Sequence, residues 1–192
     1  MNRQAIGCVA AVISVLSAFA VERTWVGPET GGLWRDATNW DPEGRIGVDD
    51  VPVFNREGTF EIGVEPSDSP YNYLAGIKCE KGTVRIFNIG DSKNYKNYFR
   101  LKSAGEGAVR TNDFYVAGDA YLIMSNSVIA NSSGRAAIRK TGAGTLEVNG
   151  NTWGETGWGA INGYVFAEGL VRARLKTADY FFLSSNIVVV PQ

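Results

Sequence analysis

Carboxylates are the side chains with which this chain could do acid–base chemistry. The 192 residues include no histidine, which excludes Ser-His-Asp and Cys-His catalysis and the usual zinc sites. Two carboxylates are enough for a glycosidase, and Asp36 with Asp41 or Glu155 with Glu168 are the candidate pairs. Nothing in the sequence distinguishes these four from acids in solvated loops. We therefore predict a protein that is not an enzyme, with a polysaccharide-cleaving enzyme as the least favoured alternative.

Sugar binding is the second kind of chemistry that the sequence permits. Trp153, Trp158 and Tyr164 lie in the Gly-rich stretch 152–164, which could project as a loop whose rings stack on glycans. Trp153 also fits an aromatic core position, and we prefer that interpretation for Trp153 but not for Trp158. The alternative function is therefore a carbohydrate-binding module that uses exposed Trp and Tyr side chains, with surface glycans as partners.

The sequence predicts no cofactor and no metal site. Gly142 and Gly144 precede a strand rather than a helix, so they lack the helix N-terminus that binds phosphate in Gly-rich loops. Asp49 and Asp50 could contribute oxygens to a cation, but we prefer a role in capping turns. Cys79 is the only cysteine after the first 20 residues, and its apolar neighbours predict a buried, unreactive thiol.

The first 20 residues predict export. A basic start with Arg3, an apolar run over 5–16 and the small residues of Ala18-Phe19-Ala20 are typical of a signal peptide that is removed before Val21. No later segment is apolar for long enough to span a bilayer, so we expect a secreted or cell-surface protein without a transmembrane segment. The formal net charge of −1 gives no electrostatic reason to expect a nucleic-acid partner.

Residues 21–58 form a Trp-rich N-terminal segment. Trp25, Trp34 and Trp40 are separated by Gly, Pro, Asp and Asn at a spacing that fits neither a helix nor a strand, which predicts a looped segment. The indoles could form a platform for sugars. We prefer a hydrophobic cap that covers one end of the fold, because indoles bury large apolar areas.

Residues 59–192 are predicted to be all-β, because short apolar runs alternate with turn signals and helical spacing is not sustained. A pattern of Gly, a small or apolar residue and then Val recurs in reduced form after Gly82, Gly107, Gly144 and Gly169, at steps of 25, 37 and 25 residues. Steps of this size predict the stacked coils of a parallel β-helix with loops of variable length. A β-sandwich is the alternative fold, and antiparallel hairpins would favour it over the β-helix.

The stretch 140–153, Lys-Thr-Gly-Ala-Gly-Thr-Leu-Glu-Val-Asn-Gly-Asn-Thr-Trp, resembles the autotransporter-associated β-strand repeat, or passenger-associated transport repeat, of bacterial surface proteins. That family's pattern is Lys-x-Gly-x-Gly-Thr-Leu, an apolar residue, a polar turn and Asn-Thr with an aromatic residue. A second strand then follows, here Gly169-Leu170-Val171, and the match covers about 138–173. The Trp-rich opening also looks like the start of many such proteins. The resemblance implies a right-handed parallel β-helix that is exported and displayed on, or released from, the cell surface.

The leading prediction for function is a structural or adhesion-type passenger segment with no chemistry of its own. Leu146 and Val148 should face the core and stack on adjacent coils. The apolar strand at 187–190 lies close to Gln192, whereas solenoids need a polar cap at each end. We therefore expect further coils of a longer protein, or self-association, to cover that end.

Overall fold

The computed structural model describes residues 21–65, 72–89, 99–102, 108–125, 128–130, 135–149, 161–174 and 187–189, and all structural statements below concern these residues. A 3-10 helix spans Ala37–Asn39. In chain order the strands are β1 (Glu22–Trp25), β2 (Gly32–Leu33), β3 (Trp40–Asp41), β4 (Val51–Phe54), β5 (Thr59–Val64), β6 (Asn72–Leu74), β7 (Gly76–Cys79), β8 (Thr83–Asn88), β9 (Phe99–Leu101), β10 (Val109–Val116), β11 (Tyr121–Ser125), β12 (Val128–Ala130), β13 (Arg135–Thr141), β14 (Thr145–Asn149), β15 (Ile161–Phe166), β16 (Leu170–Arg174) and β17 (Ile187–Val189).

Three sheets run along the molecule. Sheet 1 has the order β17-β15-β13-β10-β7-β4-β1-β3, sheet 2 the order β16-β14-β11-β8-β5-β2, and sheet 3 the order β12-β9-β6. Consecutive strands enter consecutive sheets, so β4-β5-β6, β7-β8-β9 and β10-β11-β12 are three successive coils. Among the described strands only β1 and β3 pair antiparallel. The fold is therefore a parallel β-helix of about four turns, which confirms the predicted class and not the β-sandwich alternative.

Coil length follows from the residues that pair between neighbouring strands. Phe54 pairs with Cys79, 25 residues later, and Cys79 pairs with Val116, 37 residues later. Lys140 pairs with Phe166 after a further coil of 26 residues. The predicted steps of 25 and 37 residues are thus real coil lengths, and the long coil accommodates its extra residues without a break in the stacking of sheet 1.

The prediction for Gly107 is wrong. The strand that follows it, β10, begins at Val109 and lies in sheet 1, whereas the strands after the other three glycines, β8, β14 and β16, lie in sheet 2. The third coil's strand in sheet 2 is β11, which Ala120 precedes, and Gly58 precedes β5 as a member that the pattern missed. Any strand that alternates apolar and charged residues after a corner fits this loose pattern, so the pattern does not identify the sheet.

The core consists of inward-facing rows in which equivalent residues of successive coils stack about 4.8 Å apart. Leu146 and Val148 are 1% and 0% exposed, which confirms that they face inward. One inward row of sheet 2 is made of large apolar side chains in register: Phe60, Val84, Leu122, Leu146 and Val171. Such rows account for why each strand alternates buried and exposed residues.

The Trp-rich segment covers the N-terminal end of the β-helix. Trp25, Trp34 and Trp40 are each 1–2% exposed, and the ring of Trp40 meets those of Trp25 and Trp34 edge to face with centroids 5.0 and 5.1 Å apart. Trp34 also packs on Phe99, 4.7 Å away between centroids. The predicted cap is confirmed, but the segment is not only looped, because Trp25 and Trp40 pair across the antiparallel strands β1 and β3.

Candidate functional site

The structure describes one of the three aromatic residues predicted to contact glycans. Tyr164 faces inward in β15, is 5% exposed and lies 6.4 Å from the ring of Phe166 between centroids. Burial raises the pKa of its phenol. Its ring is packed in the core rather than exposed, which corrects the expectation for Tyr164. Trp153 and Trp158 lie outside the described residues, and their contact with glycans stays a prediction.

Lys140 is a lysine inside the β-helix. It is 0% exposed and occupies an inward row of sheet 1 between Phe114 and Phe166, its partners in the two neighbouring coils. Its Nζ donates hydrogen bonds to the carbonyl oxygens of Thr141 (2.9 Å), Gly142 (2.5 Å) and Glu168 (3.2 Å). Burial lowers the pKa of the amine to about 8, against the opposing attraction of the Glu168 carboxylate. The amine therefore links the turns of two successive coils from within.

The turn that follows Lys140 accepts only glycine at two positions. Gly142 has a φ of +77°, and a Cβ there would lie 2.2 Å from the carbonyl oxygen of Val116. Gly169 has a φ of +74°, with the Gly142 carbonyl oxygen 2.4 Å from its ideal Cβ. The N–H of Gly142 also donates to Oε2 of Glu168 at 3.0 Å. Coils thus approach each other more closely at this corner than any side chain would allow.

Three polar side chains of successive coils meet on the outer face of sheet 2, and we call them the Tyr121 patch: Tyr121 in β11, Glu147 in β14 and Arg172 in β16. The Tyr121 hydroxyl donates a short hydrogen bond to Oε2 of Glu147 and accepts one from Nη1 of Arg172 at 3.4 Å. The guanidinium of Arg172 lies 6.0 Å from the centre of the Tyr121 ring. Glu147 is only 5% exposed although it points away from the core. Burial, and then the bond to Glu147, raise the pKa of Tyr121.

Other outward-facing charges pair between neighbouring coils. Arg139 in β13 makes a bidentate ion pair with Asp113 in β10, with Nε–Oδ1 and Nη2–Oδ2 distances of 2.5 and 2.7 Å. Arg85 in β8 pairs with Glu61 in β5 at 3.1 Å. All four side chains are about half exposed, so each pair contributes only about 0–1 kcal/mol. These contacts help to fix the register of the coils more than they stabilise the fold.

The acids singled out in the sequence have structural partners. Asp36 accepts hydrogen bonds from the Thr38 hydroxyl (2.7 Å) and the Thr38 N–H (3.0 Å), and these bonds lower its pKa. Glu168 holds the N–H of Gly142 as described above. Glu155 lies outside the described residues. The described members of the two candidate pairs therefore stabilise turns, and the structure does not bring them together as an acid–base pair.

Asp49 and Asp50 bind protein groups rather than face each other across a cation site. Oδ2 of Asp50 accepts from the Gly47 N–H at 2.8 Å and from Arg23 Nε at 2.6 Å, while Asp49 forms an ion pair with Lys102. This agrees with the preferred interpretation of turn capping. Within the described ranges, no three His, Cys, Asp or Glu residues are grouped so that they could hold a metal ion.

Cys79 is buried and makes no disulfide. Burial raises the pKa of its thiol to about 12, so the thiolate is rare at neutral pH. The prediction of a buried, unreactive thiol is therefore confirmed. Lys140 and the Tyr121 patch were missed by sequence reasoning, because their roles depend on which residues become neighbours in adjacent coils.

Comparison with known proteins identifies no relative: no family model, no curated protein and no solved structure matches this sequence. Among the described residues there is also no helix of the length and apolar character that a membrane crossing requires.

Proposed function

We propose that this chain is an exported, non-enzymatic β-helix segment that serves as a structural or adhesion-type passenger at the bacterial cell surface. The observation that carries the proposal is that every described part of the family-like motif has a structural role. Lys140 binds turn carbonyls, Gly142 and Gly144 allow the coils to approach, and Leu146 and Val148 fill the core. The most distinctive stretch of the sequence is thus committed to stacking coils.

The resemblance to the autotransporter-associated repeat supports a place at the cell surface. Stacked coils form a stiff rod, and such a rod can hold a functional surface away from the cell. Export would depend on residues 1–20, whose composition is typical of a signal peptide. The further coils or second copy expected at the C-terminal end stay a prediction.

Export is tested by expressing the full chain in a Gram-negative host and sequencing the N-terminus of the product by mass spectrometry. We expect the product to begin at Val21, to leave the cytoplasm, and to be digested when intact cells are treated with protease. A control that lacks residues 2–20 should remain in the cytoplasm. Retention of the full chain in the cytoplasm with Met1 intact would contradict the proposal.

The absence of enzymatic activity is tested on the purified mature chain. Incubation with a panel of polysaccharides should release no new reducing ends above those seen with heat-denatured protein. Reproducible release that Asp36→Asn and Glu168→Gln variants abolish would show that the chain is a glycosidase, and the structural proposal would then be wrong.

A further inference from the structure

The Tyr121 patch lies in the middle of a row of hydroxyl groups. In sheet 2, Tyr121 pairs with Thr83 of the preceding coil and with Thr145 of the following coil, and Thr83 pairs in turn with Thr59. Residues that pair between parallel strands are about 4.8 Å apart and share one face. Four hydroxyl-bearing side chains therefore run in a line along the β-helix axis on its outer face.

A second outward row adds charged groups beside this line. Its members in the last two coils are Glu147 and Arg172, which pair with each other in the register of β14 and β16. Glu147 is fixed by the Tyr121 hydroxyl, whereas Arg172 is exposed and has four further N–H donors beyond the one that meets Tyr121. The patch combines an aromatic ring, a fixed carboxylate and an exposed planar donor on a rigid sheet.

These groups favour one class of ligand. An aromatic ring stacks on the C–H face of a sugar, while carboxylate and guanidinium groups bind pairs of hydroxyls. The charges of Glu147 and Arg172 cancel, which gives no attraction for nucleic acid or for a strongly anionic polymer. The polar rows beside Tyr121 equally disfavour an apolar peptide or a lipid surface. A neutral, extended carbohydrate chain fits the line of hydroxyls best.

We propose that the outer face of sheet 2 binds a neutral carbohydrate chain along the β-helix axis, with Tyr121 as the stacking ring and Glu147 and Arg172 as hydrogen-bonding partners of sugar hydroxyls. This site is different from the predicted one at Trp158. It does not depend on the proposed function, because a segment that is neither exported nor displayed could still bind sugars through this face.

The same coil supplies a matched control. Tyr115, in β10, is 38% exposed on the outer face of sheet 1, where it pairs with Lys78 and Thr141 rather than with a row of hydroxyls. Tyr115→Ala therefore removes an exposed tyrosine ring from the same region without touching the Tyr121 patch. Any loss that is common to both tyrosine variants would reflect general stickiness of aromatic rings or damage to the fold.

The experiment is a binding assay of the purified mature chain with insoluble cellulose, chitin and xylan, and with soluble polygalacturonate as the anionic comparison. We expect saturable binding to at least one neutral polymer. Tyr121→Ala should weaken it at least about tenfold. Arg172→Gln, a change at the surface, should weaken it as well, and Tyr115→Ala should leave it unchanged. Thermal melting and circular dichroism of each variant establish that it is folded.

Several results would overturn the proposal. These are no binding to any neutral polymer, binding confined to polygalacturonate, and unchanged binding by a folded Tyr121→Ala variant. An equal loss in the Tyr115→Ala variant would also contradict a site on sheet 2. If Tyr121→Ala does not fold, the folded Arg172→Gln variant decides, and full retention of binding by it would be evidence against the site.

Discussion

The buried amine of Lys140 predicts that the stability of the fold increases as the pH rises above neutrality. Its pKa is about 8 in the folded chain, against 10.5 for an exposed lysine. Between these two values the unfolded state binds the proton and the folded state releases it, so raising the pH favours folding. Below about pH 7.5 both states are protonated, and the gain is absent.

The shift also sets the size of the effect. One pKa unit corresponds to about 1.4 kcal/mol, so the difference between 8 and 10.5 gives an upper limit of about 3 kcal/mol. Three carbonyl oxygens lie within 3.2 Å of Nζ and favour the charged amine. Because they oppose the effect of burial, we expect the free energy of unfolding to rise by about 1–2 kcal/mol between pH 7 and pH 10.

The assay is urea denaturation followed by far-UV circular dichroism at pH 7, 8, 9 and 10. The wild-type rise is compared with that of Lys140→Met, which keeps the length of the side chain and removes the titrating group. Lys81→Met is the control, since Lys81 is 57% exposed and its loss should preserve the wild-type rise. If Lys140→Met shows the same pH dependence as the wild type, the amine does not titrate in this range and the reasoning is refuted.

Three further predictions concern packing, backbone and thiol chemistry. Leu146→Ala should lower the free energy of unfolding by about 2–5 kcal/mol, because the side chain is 1% exposed within a continuous row, and an unchanged melting curve would contradict its inward position. Gly142→Ala should destabilise by at least about 1–2 kcal/mol, since its φ is +77° and its Cβ would meet a carbonyl oxygen, whereas Gly118→Ala, with its nearest neighbour 3.8 Å away, should cost little in the same denaturation assay. Cys79 should react with a thiol reagent only after unfolding, and rapid labelling of the native chain at pH 8 would show that it is exposed.

Much of the fold could be predicted because its signals are local. Alternation of apolar and polar residues places Leu146 and Val148 on one face whichever strand lies next to them. Three close tryptophans need a common apolar environment, and the cap supplies it. The steps of 25 and 37 residues also reflect true coil lengths, although Gly107 does not belong to the row that produced them.

The candidate site could not be predicted, because its groups come together only through the register between coils. Tyr121 and Glu147 are 26 residues apart, and Arg172 lies 51 residues from Tyr121. A shift of one residue in β11 would turn Tyr121 inward and dissolve the patch. Tyr164 shows the same limitation from the other side, since nothing local indicates that its ring enters the core.

Lys140 shows how a motif can keep a charged residue where packing alone would exclude it. Its partner in the preceding coil is Phe114, and a methionine could fill the same space without the cost of desolvating an amine. The left-handed conformation of Gly142 leaves carbonyl oxygens of this turn within reach of the interior, where an unpaired acceptor costs about 1–3 kcal/mol. An amine answers that need, and an apolar side chain does not. Lys140 and Gly142 therefore act as one unit, in which the glycine creates the conformation and the lysine supplies its missing donors.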